Sequence, residues 1–158
     1  MRRTQKEITK AYETYHNMVW RICLMQLGSE QDANDGVQET FLRLIRFHGS
    51  FRNEEHEKAW LIRTAVNYCR DVQKSSWRKK RAEELPEELL TGEEAESSRE
   101  VYETMQELPE QYRVILYLHY YEGYSLKEIA MLLRINPSTL RSRFAKAKEI
   151  MKTYLEED

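Results

Sequence analysis

Apolar residues in the first half of the chain recur at the three- to four-residue spacing of amphipathic helices. Polar residues occupy the opposite side of each predicted helix, and the turn-forming pair Gly28-Ser29 interrupts the periodicity. Helices of this kind bury their stripes against one another, so we expect one helical domain over residues 1–75. The pattern predicts its helices over residues 5–27, 30–47 and about 55–74.

The second of these helices has the clearest division into a buried and an exposed face. Its acidic and amide side chains lie opposite its apolar ones, which indicates a helix at the surface of the domain. In the third helix we assign Trp60 to the core, since large aromatic residues are highly buried on average. The stripe of the second helix predicted to be buried is Ala33, Val37, Phe41, Leu44 and Ile45.

The composition changes sharply after the third helix. Residues 81–100 hold eight acidic residues against two basic ones, and Pro86 and Gly92 punctuate the same stretch. This composition is typical of a linker and not of a packed core. We expect an acidic linker over residues 76–98, followed by a second domain over residues 99–158.

The second domain carries the layout of a helix-turn-helix motif. Ser125 is placed to cap a short helix over 126–133, with Glu128 completing a capping box. After a three-residue break, Asn136 and Pro137 are a good N-cap and first position for a final helix. Earlier helices are predicted over 99–107 and 110–121. The chain has only 5 Gly and 3 Pro, so we expect an all-α protein of two small helical domains joined by the acidic linker.

Basic residues gather on the final helix although the chain has a net charge of −2. Residues 134–152 hold six cations and one acidic residue, Glu149. Leu140, Phe144, Ala147 and Met151 form its inward stripe, which leaves small hydroxyls and cations outward. A helix with short side chains and an arginine suits the major groove of DNA, where an arginine can pair bidentately with guanine. The pattern therefore predicts DNA binding.

Other classes of function find little support in the sequence. The four His are scattered, Cys23 and Cys69 form no ligand spacing, and no Gly-rich phosphate loop occurs. We therefore expect no enzymatic activity, no metal and no cofactor. No apolar run is long enough to cross a bilayer, and the charged start of the sequence does not resemble a secretory signal. We expect a cytoplasmic protein with no membrane insertion.

Two long stretches resemble the extracytoplasmic-function sigma factors, the short two-domain members of the sigma-70 family. LPEQYRVILYLHYYEGYSLKEIAMLLRINPSTLRSRFAKAKEIM resembles their C-terminal DNA-binding domain. DANDGVQETFLRLIR and FRNEEHEKAWLIRTAVNYCRD resemble their N-terminal domain. The resemblance implies a dissociable subunit that binds core RNA polymerase and promoter DNA, and an anti-sigma factor as a probable regulatory partner.

The resemblance also implies roles for individual residues. In the N-terminal domain, polymerase binding falls on Asp35, Gln38 and Glu39. Reading and melting of the −10 element falls on Phe47, Phe51, Arg63, Asn67 and Arg70. In the C-terminal domain, −35 recognition falls on Arg141, Ser142 and Lys146, with Ser138 and Thr139 on the DNA backbone.

Alternatives to these roles stay open at the level of the sequence. Phe51 is equally compatible with a loop anchor packed on the core. Gly36 stands where the family has a large aliphatic residue, and Arg134 stands where a glycine often ends the first helix of the motif. A conventional helix-turn-helix regulator, binding duplex DNA without polymerase, is the main rival function. A purely protein-binding helical protein is a third.

Overall fold

The computed structural model describes residues 3–74, 103 and 105–156, and every regular element among them is helical. The prediction of an all-α protein is confirmed. The chain divides into two compact units, Met1–Glu83 and Glu84–Asp158. The predicted acidic linker at 76–98 and most of the predicted helix at 99–107 lie outside the described residues.

The first unit packs three helices against one another. They are α1 (Gln5–Leu27), α2 (Glu30–Arg46) and α3 (Glu54–Gln73). Each begins at a residue whose side chain accepts a hydrogen bond from a backbone N–H of the first turn: Thr4 for α1, Ser29 for α2 and Asn53 for α3. These caps place the helix starts where the sequence predicted them, within one residue.

The core of the first unit is formed by the apolar stripes of the three helices. Ile45 does not belong to it, because 46% of its surface is exposed. Its neighbour Leu44 takes the inward position, so the buried stripe of α2 is narrower than predicted. The largest fully buried side chains here are Val19, Ile22, Thr40, Leu44, Leu61, Ile62 and Val66.

Gly36 lies on α2 where this helix faces Cys23 of α1 and Tyr68 of α3. A Cβ added at Gly36 would stand 2.5 Å from Cys23 Sγ and 3.2 Å from Tyr68 Cε1. Gly36 and Cys23 are both buried. The glycine is therefore a packing requirement within the unit, and a large aliphatic side chain at this position would not fit beside Cys23.

The second unit contains the helix-turn-helix motif. Helix α4 (Glu110–Leu116) runs directly into a π-helical turn, Tyr117–Tyr121, where one longer helix was predicted. The motif itself consists of α5 (Leu126–Leu133) and α6 (Pro137–Glu156). The side chains buried most completely between these elements are Leu108, Ile115, Leu118, Ile129, Leu140 and Ala147.

The start of α5 is closed by the predicted capping box. The Ser125 hydroxyl accepts from Glu128 N at 3.1 Å, and the Glu128 carboxylate accepts from Ser125 N at 2.9 Å. The hydrogen bond from the Ser125 backbone lowers the pKa of Glu128. Both partners are exposed, so the box fixes where the helix starts and contributes little to the core.

The turn of the motif ends α5 in a left-handed residue. Arg134 has φ 57° and ψ 47°, and it is the only non-glycine residue with positive φ in the described part of the chain. Ile135 N donates to Ala130 O at 2.9 Å and Arg134 N to Met131 O at 3.4 Å, which is the hydrogen-bond pattern of a Schellman motif. An arginine occupies the position that glycine favours, so the backbone carries strain there.

Replacing Gly36 with Ala tests the contact between α1 and α2. The added methyl should lower the free energy of unfolding by roughly 0–2 kcal/mol, since overpacking costs about 1–3 kcal/mol and alanine regains about 1 kcal/mol of helix propensity. In a Cys23→Ala background the sulfur is gone, and Gly36→Ala should be neutral or stabilising. Urea unfolding of the four proteins of this cycle measures the coupling; equal effects in both backgrounds would contradict it.

Replacing Arg134 with Gly tests the strain in the turn. We expect the free energy of unfolding to rise by about 0.5–1 kcal/mol, because glycine adopts positive φ without steric cost. Gly123→Ala is the matched control: Gly123 has φ 80° and no atom within 4 Å of an added Cβ, so its substitution should destabilise by backbone strain alone. Differential scanning calorimetry checks both, and a lower Tm for Arg134→Gly would contradict the account.

Candidate nucleic-acid and polymerase interfaces

Helix α6 turns one face inward and presents the predicted −35 residues to solvent. Leu140 and Ala147 are fully buried, and this fixes the rotation of the helix. Asn136 holds the start of α6, where its Oδ1 accepts from Ser138 N at 2.9 Å and from the Ser138 hydroxyl at 2.8 Å. The structure places all of the predicted residues of this face in exposed positions: Ser138, Thr139, Arg141, Ser142 and Lys146.

The other side of α6 packs on the π-helical turn. The ring of Phe144 meets His119 edge-on at 4.9 Å between centroids, and His119 Nδ1 lies 2.8 Å from Tyr124 O. Lys148 Nζ lies 5.4 Å from the centroid of the Phe144 ring. Lys148 therefore sits beside Phe144, about two helical turns C-terminal to Arg141.

The residues predicted to meet the −10 element lie in the 47–53 loop and on α3. Phe47 and Phe51 are half-buried, with ring centroids 5.6 Å apart, and Trp60 lies 4.9 Å from Phe47 and 5.9 Å from Phe51. We name these three residues the aromatic cluster. Phe51 is thus a packed loop residue, in line with the anchor alternative, and Trp60 belongs to this half-buried cluster instead of the deep core.

The polar residues of the predicted −10 site follow one side of α3. Asn67 and Arg70 are exposed, and Arg63 is half-buried. Their spacing of four and three residues places them on adjacent turns of the same helical face. Ile62, Val66 and Cys69 are buried, so the face that carries the polar residues is turned towards solvent.

The three residues predicted to bind polymerase line one open groove of about 470 Å³ between α2 and α3. Asp35 and Gln38 are exposed, while Glu39 pairs with Arg43 of the same helix at 3.5 Å. Leu42 adds an apolar surface to the groove and is 38% exposed. The residues that complete the lining are Arg43, Tyr68, Asp71 and Val72.

Tyr68 forms the wall of this groove from the α3 side. Burial, with a further contribution from the negative charge of Asp35, raises the pKa of Tyr68 to about 12. The guanidinium carbon of Arg43 lies 5.8 Å from the centroid of the Tyr68 ring. The same ring lies next to Gly36, so the packing at Gly36 also shapes the groove.

Sequence reasoning missed two parts of these surfaces. The sequence pattern assigns no role to Leu42, and it places Ile45 in the buried stripe because periodicity does not distinguish an exposed apolar residue at the edge of a stripe from a buried one. Arg3, which lies against the aromatic cluster, was missed altogether: its guanidinium carbon is 4.5 Å from the centroid of Phe51. No local pattern identifies a contact across more than forty positions of the chain.

The described residues offer little to a metal ion or a membrane. No group of three or more His, Cys, Asp or Glu among them is arranged to hold a metal. None of the helices in the described ranges combines the length and apolar character that crossing a bilayer requires.

The raised pKa of Tyr68 predicts a pH dependence of stability. A phenol whose folded pKa is raised contributes stability that is complete below its unfolded pKa of about 10 and is lost as the pH rises to about 12. The wild type should therefore lose more of its free energy of unfolding than Tyr68→Phe across that interval. Urea unfolding at several pH values measures the difference, and parallel pH profiles would contradict it.

Two family models match the chain, and they do so in order. Sigma-70 region 2 matches residues 11–82, and Sigma-70, region 4 matches residues 98–151. The first match holds the groove and the aromatic cluster, and the second holds the helix-turn-helix motif. Together they span most of the chain.

Individual relatives and a solved structure agree with these matches. The RNA polymerase sigma-H factor of Pseudomonas aeruginosa is 29% identical over 154 residues, which covers 85% of this chain and 79% of that protein. The ECF RNA polymerase sigma factor SigW of Bacillus subtilis is 27% identical over 164 residues, covering 90% of this chain and 86% of SigW.

The sigma factor RpoE of Bartonella quintana, solved in complex with the anti-sigma factor NepR, has the same fold, with a TM-score of 0.73 and 16% identity over 97% of this chain and 99% of that one. SigW carries the name of the extracytoplasmic-function group, and the two matched regions contain the groove, the aromatic cluster and the helix-turn-helix motif. The chain therefore belongs to the sigma-70 family of RNA polymerase sigma factors, in its extracytoplasmic-function group.

Proposed function

We propose that this sigma factor divides promoter recognition and polymerase binding among three surfaces: α6, the face of the 47–53 loop and α3, and the groove between α2 and α3. The observation that carries the proposal is the orientation of α6. Burial of Leu140 and Ala147 leaves its small and cationic residues exposed on the opposite face. The protein selects the promoter, while the chemistry of RNA synthesis belongs to the polymerase.

Helix α6 is suited to reading the −35 element in the major groove. Arg141 is the side chain that can make a bidentate contact to guanine, and Ser142 and Lys146 follow on the same face. Thr139 contacts the DNA backbone. The proton of the Ser138 hydroxyl is directed to Asn136 Oδ1 at 2.8 Å, so Ser138 turns away from Asn136 when it donates to a phosphate oxygen.

The 47–53 loop and α3 are suited to the −10 element. Promoter melting exposes bases that stack on aromatic rings, and the rings of Phe47 and Phe51 are only half-buried, so part of each is accessible at this surface. Asn67 carries an amide that can read a base edge. Arg63 and Arg70 supply positive charge for the phosphates of the separated strand.

The groove between α2 and α3 is suited to a helical partner. Asp35, Gln38 and Glu39 supply polar contacts around the exposed side chain of Leu42. An apolar centre with a polar rim is the usual composition of a protein interface. We assign this groove to core RNA polymerase.

An anti-sigma factor is the expected inhibitor, as for the Bartonella quintana relative, whose structure was solved with one. It would act by covering the polymerase groove or the DNA-binding faces. Because the proposed activity requires core RNA polymerase, we assign the protein to the cytoplasm.

A conventional helix-turn-helix regulator remains the rival function. Such a protein binds duplex DNA alone, commonly as a dimer on a palindrome, and has no use for a polymerase groove. The match of residues 11–82 to Sigma-70 region 2 favours the sigma factor over this rival.

Substituting Arg141 tests the assignment of α6. Arg141→Ala should weaken selection of one −35 base pair by about 10- to 100-fold, since a bidentate contact contributes roughly 1–3 kcal/mol of discrimination. Lys148→Ala is the matched control, because it removes a cation of the same helix that sits beside Phe144, about two turns beyond Arg141. Selection from randomised duplex DNA by the holoenzyme measures both. An unchanged motif with Arg141→Ala, or an equal change with Lys148→Ala, would contradict the assignment.

Neutralising the groove tests the polymerase contact. The double variant Asp35→Asn/Glu39→Gln should bind core polymerase about tenfold more weakly, because it removes the charge of two interface carboxylates with little change of shape. Glu13→Gln, on the exposed surface of α1, is the control for loss of an acidic charge outside the groove. Competition with a labelled sigma factor for core polymerase measures the affinities. Wild-type affinity in the double variant would exclude this groove.

A further inference from the structure

Arg3 contacts the 47–53 loop although it lies more than forty residues before it in the sequence. Its Nη1 donates to Phe47 O and its Nη2 donates to Gly49 O, each at 2.7 Å. Its guanidinium carbon lies 4.5 Å from the ring centroid of Phe51 and 5.2 Å from that of Phe47. One planar cation thus binds two loop carbonyls and covers two rings of the aromatic cluster.

The loop is held at its other end by α3. Asn53 Oδ1 accepts from His56 N at 2.8 Å, and His56 Nδ1 accepts from Arg52 N at 3.0 Å. The His56 ring also meets Phe51 edge-on at 5.3 Å. These contacts are local and fix residues 51–53, but they do not reach the residues nearest α2.

The part of the loop nearest α2 is held by Arg3 and by the packing of Phe47 on Trp60. Phe47 folds its ring over Gly49, where a Cβ would overlap it. Across this stretch, residues 47–50 form no regular element that would satisfy their carbonyl groups internally. The two charge-assisted hydrogen bonds from Arg3 bind the carbonyls of Phe47 and Gly49.

We propose that Arg3 is a positioning residue for reading of the −10 element: its guanidinium holds the 47–53 loop and the rings of Phe47 and Phe51 in the arrangement that receives a separated base. The inference rests on the proposed function of this loop. A preorganised loop discriminates between bases because a misplaced contact loses its energy, whereas a mobile loop adapts to several bases.

A direct phosphate contact is the competing role for Arg3. Two of its N–H groups are engaged at 2.7 Å and its plane lies against the aromatic cluster, so the guanidinium is oriented towards the loop. The two roles differ in their response to salt. Loss of a phosphate contact reduces the slope of log K against log salt by about one, and loss of loop positioning leaves the slope unchanged.

The test compares holoenzymes containing wild type, Arg3→Ala, Arg3→Lys and Lys6→Ala. Mapping of start sites with the wild-type protein first gives the sequence of the −10 element. The probes are single-stranded DNA oligonucleotides that carry this element, and a set of variants in which each base is substituted in turn. We expect Arg3→Ala to lower the preference for the matched base at the loop-read position by about five- to tenfold. Arg3→Lys keeps the charge but cannot donate to both carbonyls from one planar group, so its base preference should lie between those of Arg3→Ala and the wild type. Lys6 is exposed, and Lys6→Ala should show the base preference of the wild type.

The remaining readouts separate positioning from other roles. The salt slope, the affinity for core polymerase and the helical content at the assay temperature should be unchanged in Arg3→Ala. Undiminished base preference, or a preference lost together with one unit of salt slope, overturns the inference about Arg3. If the wild-type holoenzyme shows no base preference on these probes, the proposed function of the loop fails, and the inference fails with it.

Discussion

Close packing at Gly36 is the constraint on which the first unit depends. It allows α2 to approach α1 so that Cys23 and Gly36 touch without a side chain between them, and it brings the ring of Tyr68 against the same point. The orientation of α2 follows, with Leu44 inward and Asp35 and Gln38 outward. The groove between α2 and α3 is therefore a consequence of how the core is packed.

In the second unit, too, buried residues set the orientation of a helix. Leu140 and Ala147 fix the rotation of α6, and the Schellman turn at Arg134 fixes the angle at which α6 leaves α5. Arg134 adopts this conformation at a cost in stability, which suggests that the geometry of the turn is more important than that cost. In both units, buried apolar contacts decide which polar residues are exposed to solvent.

Much of this arrangement could be predicted from the sequence, because its signals are local. The capping box of Ser125 and Glu128, the cap at Asn136 and the apolar stripe of α6 fixed the helix-turn-helix motif and its exposed face. The family resemblance places Arg134 where a glycine often ends the first helix of the motif, and Arg134 does adopt the left-handed conformation. The roles of individual residues in binding DNA and polymerase came from the family resemblance, and they stay predictions.

The parts that could not be predicted depend on contacts between distant residues. Arg3 meets Phe47 and Gly49 across 44 and 46 positions of the chain. The contact between Gly36 and Cys23 joins two helices, so no local pattern in the sequence predicts why α2 has a glycine there. Ile45 was misplaced because helical periodicity gives the direction of a stripe and not its width.

The central claim is that this protein makes core RNA polymerase start at promoters of its own. Its most direct test is transcription of fragmented genomic DNA from the source organism by core polymerase, with start sites mapped in the presence and absence of the protein. The account predicts new start sites that share two upstream motifs near −10 and −35. An absence of new start sites, with polymerase-independent binding of duplex DNA intact, would contradict it and favour the conventional regulator.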